Sequence, residues 1–388
     1  MKVILKRNPL ILLSGNIITK MGNVIFTFAL NWWVIQVTGS AKTLGIIASI
    51  SLVPSLFLNL FSGVIADRFN RKTLLIITDI ISGLTCLFFG LFLKENIIQV
   101  GLIVTLNIIL SVCQTLFSPT IRAMTPEVID KDQIKKYNSI LTSISETIKI
   151  VGPLVGGALL SITFIGFREI LLINGISFLL SAFLEFFIKY DAISKANDKN
   201  LIRELKEGFI YVKNQSTLFN LLIVISIVNF FISGYNLLLP AYSKFYFPQE
   251  NFYSLLLSIE AIGGISGAFL LGLEKKNQTG LKDLRRELLL CGVFFIPIVF
   301  ISSQYYILLA SFTFGFFLVR FNTLFFTYIQ TVTDGKYLGR VFSLIFTLAI
   351  VLMPVGNIIF GFVIDYLKIL VFPLIGIGII FTNLLVRK

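Results

Sequence analysis

Long apolar runs separated by short polar connections set the pattern of this chain. They cover 10–36, 44–66, 73–93, 98–119, 138–163, 169–188, 217–243, 252–273, 286–303, 304–328, 339–364 and 369–386. A helix that crosses the hydrocarbon core of a bilayer needs about 20 mostly apolar residues. Each run therefore predicts one membrane span. Only the polar tetrad Ser302, Ser303, Gln304 and Tyr305 divides the ninth from the tenth. The first run is too long for the core of a cleavable leader, and no small-residue cleavage site follows it, so it is read as a span. The pattern predicts an all-α membrane protein with twelve transmembrane helices in two pseudo-symmetric six-helix bundles.

Composition excludes the soluble alternatives. Hydrophobic residues are 56% of the 388 and charged residues 14%, against about 25% charged in a soluble domain. Too few polar residues remain to cover soluble cores. The net charge of +13 sits between the apolar runs, not on a basic domain, so nucleic acid is not an expected partner. Of the 33 Lys and Arg residues, 25 fall in connections on the side of the two termini and 5 in the opposite loops. Basic residues accumulate in cytoplasmic loops, which predicts both termini in the cytoplasm and a multi-pass protein of the plasma membrane. There is no His, which excludes His-ligated metals and His general bases. Cys86, Cys113 and Cys291 lie scattered in apolar runs and read as small buried hydrophobes.

The longest polar stretch separates the sixth and seventh runs. It divides the chain into an N-terminal bundle at 1–189, a linker at 190–216 and a C-terminal bundle at 217–388. Within the linker Leu201, Ile202, Leu205, Phe209 and Val212 recur at helical spacing among charges, as in an amphipathic helix lying on the cytoplasmic face. The halves echo each other. Gly152-Pro153-Leu154-Val155-Gly156-Gly157 in the fifth run answers Met353-Pro354-Val355-Gly356 in the eleventh. Asn174-Gly175-Ile176 answers Leu374-Ile375-Gly376. Parallel six-span repeats suit a transporter that rocks one bundle against the other.

Polar side chains in hydrocarbon are costly, so their placement is informative. Asn16, Lys20, Asn23, Thr27 and Asn31 share one face of the first span. Asn107, Ser111, Gln114 and Ser118 share a face of the fourth. Ser226, Asn229, Ser233 and Asn236 do so on the seventh, Thr313, Arg320, Thr323 and Thr327 on the tenth, and Asn174, Ser177, Ser181 and Glu185 on the sixth. Such stripes line a water-filled cavity or serve as hydrogen-bonding glue between helices; the cavity is the expectation for Asn16, Lys20, Asn23, Thr27, Asn31, Gln114, Asn229, Asn236 and Arg320. Two in-membrane acids are candidates for proton coupling. Glu146 stands three residues from Lys149, close enough to pair. Glu260 shares a face with Gly263, Gly264 and Gly267, which admit a close neighbouring helix; it is expected to reach Lys20 or Arg320 or to carry a proton.

The connection after the second run reads Gly63-Val64-Ile65-Ala66-Asp67-Arg68-Phe69-Asn70-Arg71-Lys72. Gly63 allows close packing, Asp67 can accept backbone amides, and Arg68, Arg71 and Lys72 suit the anionic inner leaflet. Such a loop can latch two halves in one state. The motif resembles the signature of the major facilitator superfamily, with Asn70 where a second Gly is usual. Gly152, Pro153, Gly156 and Gly157 resemble the antiporter motif of its exporting members. Thr38-Gly39-Ser40-Ala41, Pro119 through Pro126-Glu127, Glu207 through Val212, and Gly339-Arg340-Val341-Phe342-Ser343 look like the branch of macrolide efflux pumps and the enterobactin exporter. That resemblance implies a secondary transporter that exports a small amphipathic molecule by alternating access, with a proton gradient as the driving force and no cofactor. It implies no enzyme, and a monomer in the bilayer. The branch often carries an acid where this chain has Asn23. The in-membrane cations Lys20, Lys149 and Arg320 keep an anionic, siderophore-like substrate in play, and an importer or uniporter of the same fold is the other alternative. A membrane-embedded enzyme lacks its motifs here: no phosphate-binding loop and no nucleophile elbow is present.

Overall fold

The computed structural model describes residues 7–92, 100–190, 207, 209–247, 250–274, 280–301, 303–334 and 337–386. Among them the regular secondary structure is helical throughout. The helices are α1 (Arg7–Thr38), α2 (Ala41–Arg68), α3 (Arg71–Phe92), α4 (Val100–Val128), α5 (Lys131–Leu160) and α6 (Phe167–Phe186). They continue as α7 (Ser216–Tyr246), α8 (Glu250–Leu273), α9 (Leu281–Val293), α10 (Gln304–Val332), α11 (Leu338–Val351), α12 (Met353–Leu367) and α13 (Val371–Thr382).

Among the described residues ten stretches are long and apolar enough to cross a membrane, and the last of them, Arg340–Leu385, takes in the eleventh and twelfth predicted spans. The predicted ninth span is the one that falls short. Its α-helix stops at Val293 and gives way to a 3-10 turn at Ile296–Val299, which carries Pro297. A proline removes a helical donor and disfavours helix at the residue before it. The predicted eleventh span is divided at Leu352, with Pro354 in the first turn of α12, where a missing N–H costs nothing. Pro153, by contrast, is carried inside an unbroken α5. The polar tetrad does mark a boundary, since α10 begins at Gln304. The predicted linker helix at 201–212 lies outside the described residues except for 207 and 209–212, which are helical.

The chain forms two compact units. One comprises Met1–Thr38 with Ile50–Asn197; the other comprises Gly39–Ser49 with Asp198–Lys388. In unit 1, α1 packs on α5 and α6, and α3 on α4 and α6. In unit 2, α7 packs on α11, α12 and α13, and α9 on α10 and α13. The second set repeats the first, with α11 and α12 together in the place of α5. Glycines mark the same crossings. A Cβ added to Gly83 of α3 would meet the Gly175 carbonyl of α6 at 3.0 Å, and one added to Gly292 of α9 would run into the Gly376 carbonyl of α13. The sequence echo around residues 175 and 376 thus has a packing cause.

The start of α2, through Ser49, belongs to unit 2. Gly39, at φ +63°, ends α1 in the left-handed conformation that glycine adopts without strain. Asp365 of α12 then caps α2, accepting from Ser40 Oγ at 2.6 Å and from the Ala41 and Lys42 amides at 2.7 and 3.3 Å. A carboxylate at a helix N-terminus satisfies free donors and complements the dipole.

Candidate functional site

Unit 1 gathers the sequence-predicted polar residues of three helices. Lys20 of α1 donates to Ser145 Oγ of α5 at 2.8 Å. Asn23 of α1 donates to Gln114 Oε1 of α4 at 3.4 Å, and Gln114 donates in turn to Ser118 Oγ. Lys149 pairs with Glu146 on α5 at 2.7 Å, as their spacing predicts. Thr27, Gln114, Thr142, Ser143, Thr147 and Lys149 are exposed and Asn31 is half-buried. In an otherwise apolar bundle, this accessible polar face offers a bound molecule hydrogen bonds and one separated charge pair. The helix crossing behind it is tight. A Cβ on Gly152 would meet Val24 at 2.5 Å, and one on Gly156 would meet Phe28 at 2.7 Å. Pro153 and Gly157 are buried beside them. The antiporter-like motif here is a small-residue surface that seats α1 on α5.

Asn16 departs from the expectation. It is buried at 4% exposure, on the side of α1 turned into the bundle, and is not cavity lining. A stripe at steps of three and four drifts around a straight helix, so its two ends face different neighbours.

In unit 2, Asn236 is exposed and Asn229 half-buried, its amide donating to the Ile225 carbonyl of its own helix at 2.8 Å. Thr323 and Thr327 likewise bond the carbonyls one turn back. Arg320 also differs from the expectation of a cavity cation. It is 5% exposed and held by Glu287 of α9, at 3.0 and 3.2 Å, and by Glu274 after α8, at 2.6 Å. Arg286 adds a bond to Glu287 at 2.7 Å. A guanidinium buried in hydrocarbon needs carboxylates, and this one has two. Glu260 faces the buried Tyr235 hydroxyl. The glycine face beside it does what the sequence predicts: Gly263 and Gly267 lie against the Phe312 and Phe316 carbonyls of α10.

The 63–72 motif spans the end of α2 and the start of α3. The side chains of Gly63, Asp67 and Arg68 lie outside the described residues. Asn70 Oδ1 accepts the Thr73 amide at 3.2 Å, so the residue standing in for the usual glycine caps α3. Arg71 pairs with Glu127 at the end of α4 at 2.5 Å and donates to the Ala123 carbonyl. Lys72 donates to the Phe186 carbonyl at the end of α6 at 2.7 Å. These two tie three helix ends together, where the free carbonyls and the acid of helix C-termini are close partners. Tyr190 donates to Glu127 at 2.8 Å. Burial and that bond push its phenol up to about 12, so it stays a donor at physiological pH. Two other branch-like fragments meet in unit 2, where Arg340 pairs with Glu207 at 2.8 Å and Tyr337 stacks on Tyr211.

Sequence reasoning missed Asp79, Glu287 and Asp365. Asp79 did carry a signal: it is an acid set among apolar residues of a predicted span.

A model of the Major Facilitator Superfamily matches residues 12–356. The chain is 25% identical over 372 residues to the uncharacterized MFS-type transporter YvqJ of Bacillus subtilis (strain 168), covering 92% of this chain and 86% of that one. It is 24% identical over 361 residues to macrolide efflux protein A of Streptococcus pyogenes, covering 89% and 86%. Among solved structures it resembles a bacterial homologue of the iron transporter ferroportin in an inward-facing state, with TM-score 0.76, 16% identity and 98% of each chain covered.

Proposed function

The chain belongs to the Major Facilitator Superfamily, and on that premise we propose that this multi-pass membrane transporter exports a small amphipathic molecule, drug-like or macrolide-like, by alternating access and proton antiport. The observation that carries the reading is the accessible polar face of unit 1, where Lys20, Asn23, Gln114 and Glu146 converge from three helices. A weakly polar face in an apolar wall suits a molecule with a large hydrocarbon surface and a few hydrogen-bonding groups. The likeness to macrolide efflux protein A supports export and that substrate class. The working form is a monomer in the plasma membrane with both termini cytoplasmic. The proton gradient is the only driving partner, and no cofactor or nucleic acid takes part. Glu146 and Glu260 are the acids of the two units whose neutralisation to Gln tests coupling on the substrate side.

The test is accumulation of a labelled macrolide and of a cationic dye in cells with and without the transporter, before and after a protonophore. Lower accumulation that the protonophore abolishes is expected. Unchanged accumulation of both probes overturns the substrate class. Lowered accumulation that survives the protonophore overturns proton coupling.

A further inference from the structure

Behind the polar face, unit 1 buries two acids among α1, α3, α4 and α6. Asp79 of α3 is 2% exposed and Glu185 of α6 is 1% exposed. Both stand on the closely packed α3–α6 pair and both border α1, Asp79 at Thr19 and Glu185 at Gly15. Thr19 Oγ1 of α1 donates to Asp79 Oδ2 at 3.4 Å, and Ser181 of α6 faces the same carboxyl. From α4, Cys113 faces Asp79, with Ser82 of α3 beside it. Gly15 of α1 backs the group, since a Cβ there would meet Ser181 Oγ at 3.0 Å and Glu185 Cγ at 3.8 Å.

The groups around the acids from these four helices are hydroxyls and a thiol, and among the described residues none is a cation. The described cations nearby in the chain are engaged elsewhere: Lys20 with Ser145, Arg71 with Glu127, and Lys72 with the Phe186 carbonyl. A carboxylate moved out of water costs several kcal/mol even after relaxation. Two adjacent ones add mutual repulsion. Arg320 and Glu287 in unit 2 show how this protein compensates a buried charge, and among the described residues the Asp79–Glu185 pair has no such partner.

Unpartnered acceptors point to what fills the role. Both Glu185 oxygens and Asn16 Oδ1 are buried without a hydrogen-bond partner among the described residues. Asn16 follows Gly15 and lies one turn from Thr19, on the inward side of α1. One proton answers both deficits. It removes one of the two charges and turns a carboxylate into a donor among orphan acceptors.

We propose that Asp79 and Glu185 form a proton-binding site of unit 1, sharing one proton that the transport cycle takes up from water and releases to water. The transport role rests on the antiport reading above; the binding site itself does not. The pair titrates as a unit, and its proton belongs to neither residue alone. No bond other than O–H is made or broken.

The experiment is infrared spectroscopy of the purified transporter across a pH series, reading the carbonyl band of protonated carboxyl groups. Wild type is compared with Asp79→Asn, Glu185→Gln and Glu146→Gln. Neutral amides imitate a protonated acid in size, so the first two variants are expected to fold. If one does not, the other and a direct measurement of proton uptake by wild type after a pH jump decide. A titrating band in wild type, lost in Asp79→Asn and in Glu185→Gln and kept in Glu146→Gln, is the expected result. Absence of that band in wild type overturns the site, as does its persistence in both variants. Loss of the band on adding sodium at constant pH assigns the pair to a sodium ion and also overturns it. Vesicle transport of the labelled macrolide separates the two readings. Asp79→Asn and Glu185→Gln are expected to lose accumulation driven by a pH gradient while keeping substrate exchange. A band that behaves as expected in a wild type whose transport ignores the pH gradient upholds the site and refutes antiport.

Discussion

Replacing Arg320 by Met tests the energetic core of unit 2. Arg320 gives Glu287 two bonds, at 3.0 and 3.2 Å, and Glu274 one at 2.6 Å. Glu287 has a fully buried side chain, and Arg286, its other partner, is 54% exposed. Removing one member of a buried pair costs about 3–5 kcal/mol, because the remaining charge is stranded. Arg286 still compensates in part, so the low end applies, about 3 kcal/mol. For a unit of this size that is on the order of 6–12 °C in unfolding midpoint. Cys291 supplies the assay. It is 1% exposed and one helical turn from Glu287 on α9. In a Cys86→Ala/Cys113→Ala background, its reaction with a thiol-sensitive dye during heating reports the opening of unit 2 alone. The double variant Arg320→Met/Glu287→Met should recover most of the loss, since an apolar replacement of a buried pair is near neutral. Arg340→Ala is the control, because its pair with Glu207 is 28% and 39% exposed and an exposed pair contributes under about 1 kcal/mol. A midpoint for Arg320→Met no lower than for Arg340→Ala refutes the reasoning, and so does a double variant as unstable as the single.

Other perturbations probe packing and caps. Gly263→Val places a side chain against the Phe312 carbonyl and should abolish folded transporter in membranes, whereas Gly272→Val, which meets nothing within 4 Å, should be tolerated; equal yields by size-exclusion chromatography contradict this. Asp365→Ala removes three hydrogen bonds at the start of α2 and should cost about 1 kcal/mol. Faster hydrogen exchange at residues 41–43 is the readout, and unchanged exchange means the cap is not stabilising. Asn70→Ala should cost about 0.5–2 kcal/mol and Asn70→Gly only a few tenths, read as unfolding midpoints through Cys86; equal losses would remove the capping role.

Much of this was legible in the chain before any coordinates. Apolar runs of bilayer length determine helices, since backbone groups in hydrocarbon must bond within their own segment. The spacing of Lys20, Asn23 and Thr27, and of Glu146 and Lys149, determined which faces are polar and which charges pair. Gly263 and Gly267 foretold a backbone-to-backbone crossing because no side chain intervenes. Periodicity is a property of one helix, however, and what a face meets is decided by its neighbours. Only the tertiary structure put Asn16 inside and tied Arg320 to Glu287 and Glu274. It also turned Arg71 and Lys72 toward helix ends, and brought Asp79 and Glu185, 106 residues apart in the chain, into one buried cluster. In hydrocarbon the cost of an uncompensated charge depends on what surrounds it within a few ångströms, and that information lies in packing, not in spacing along a helix.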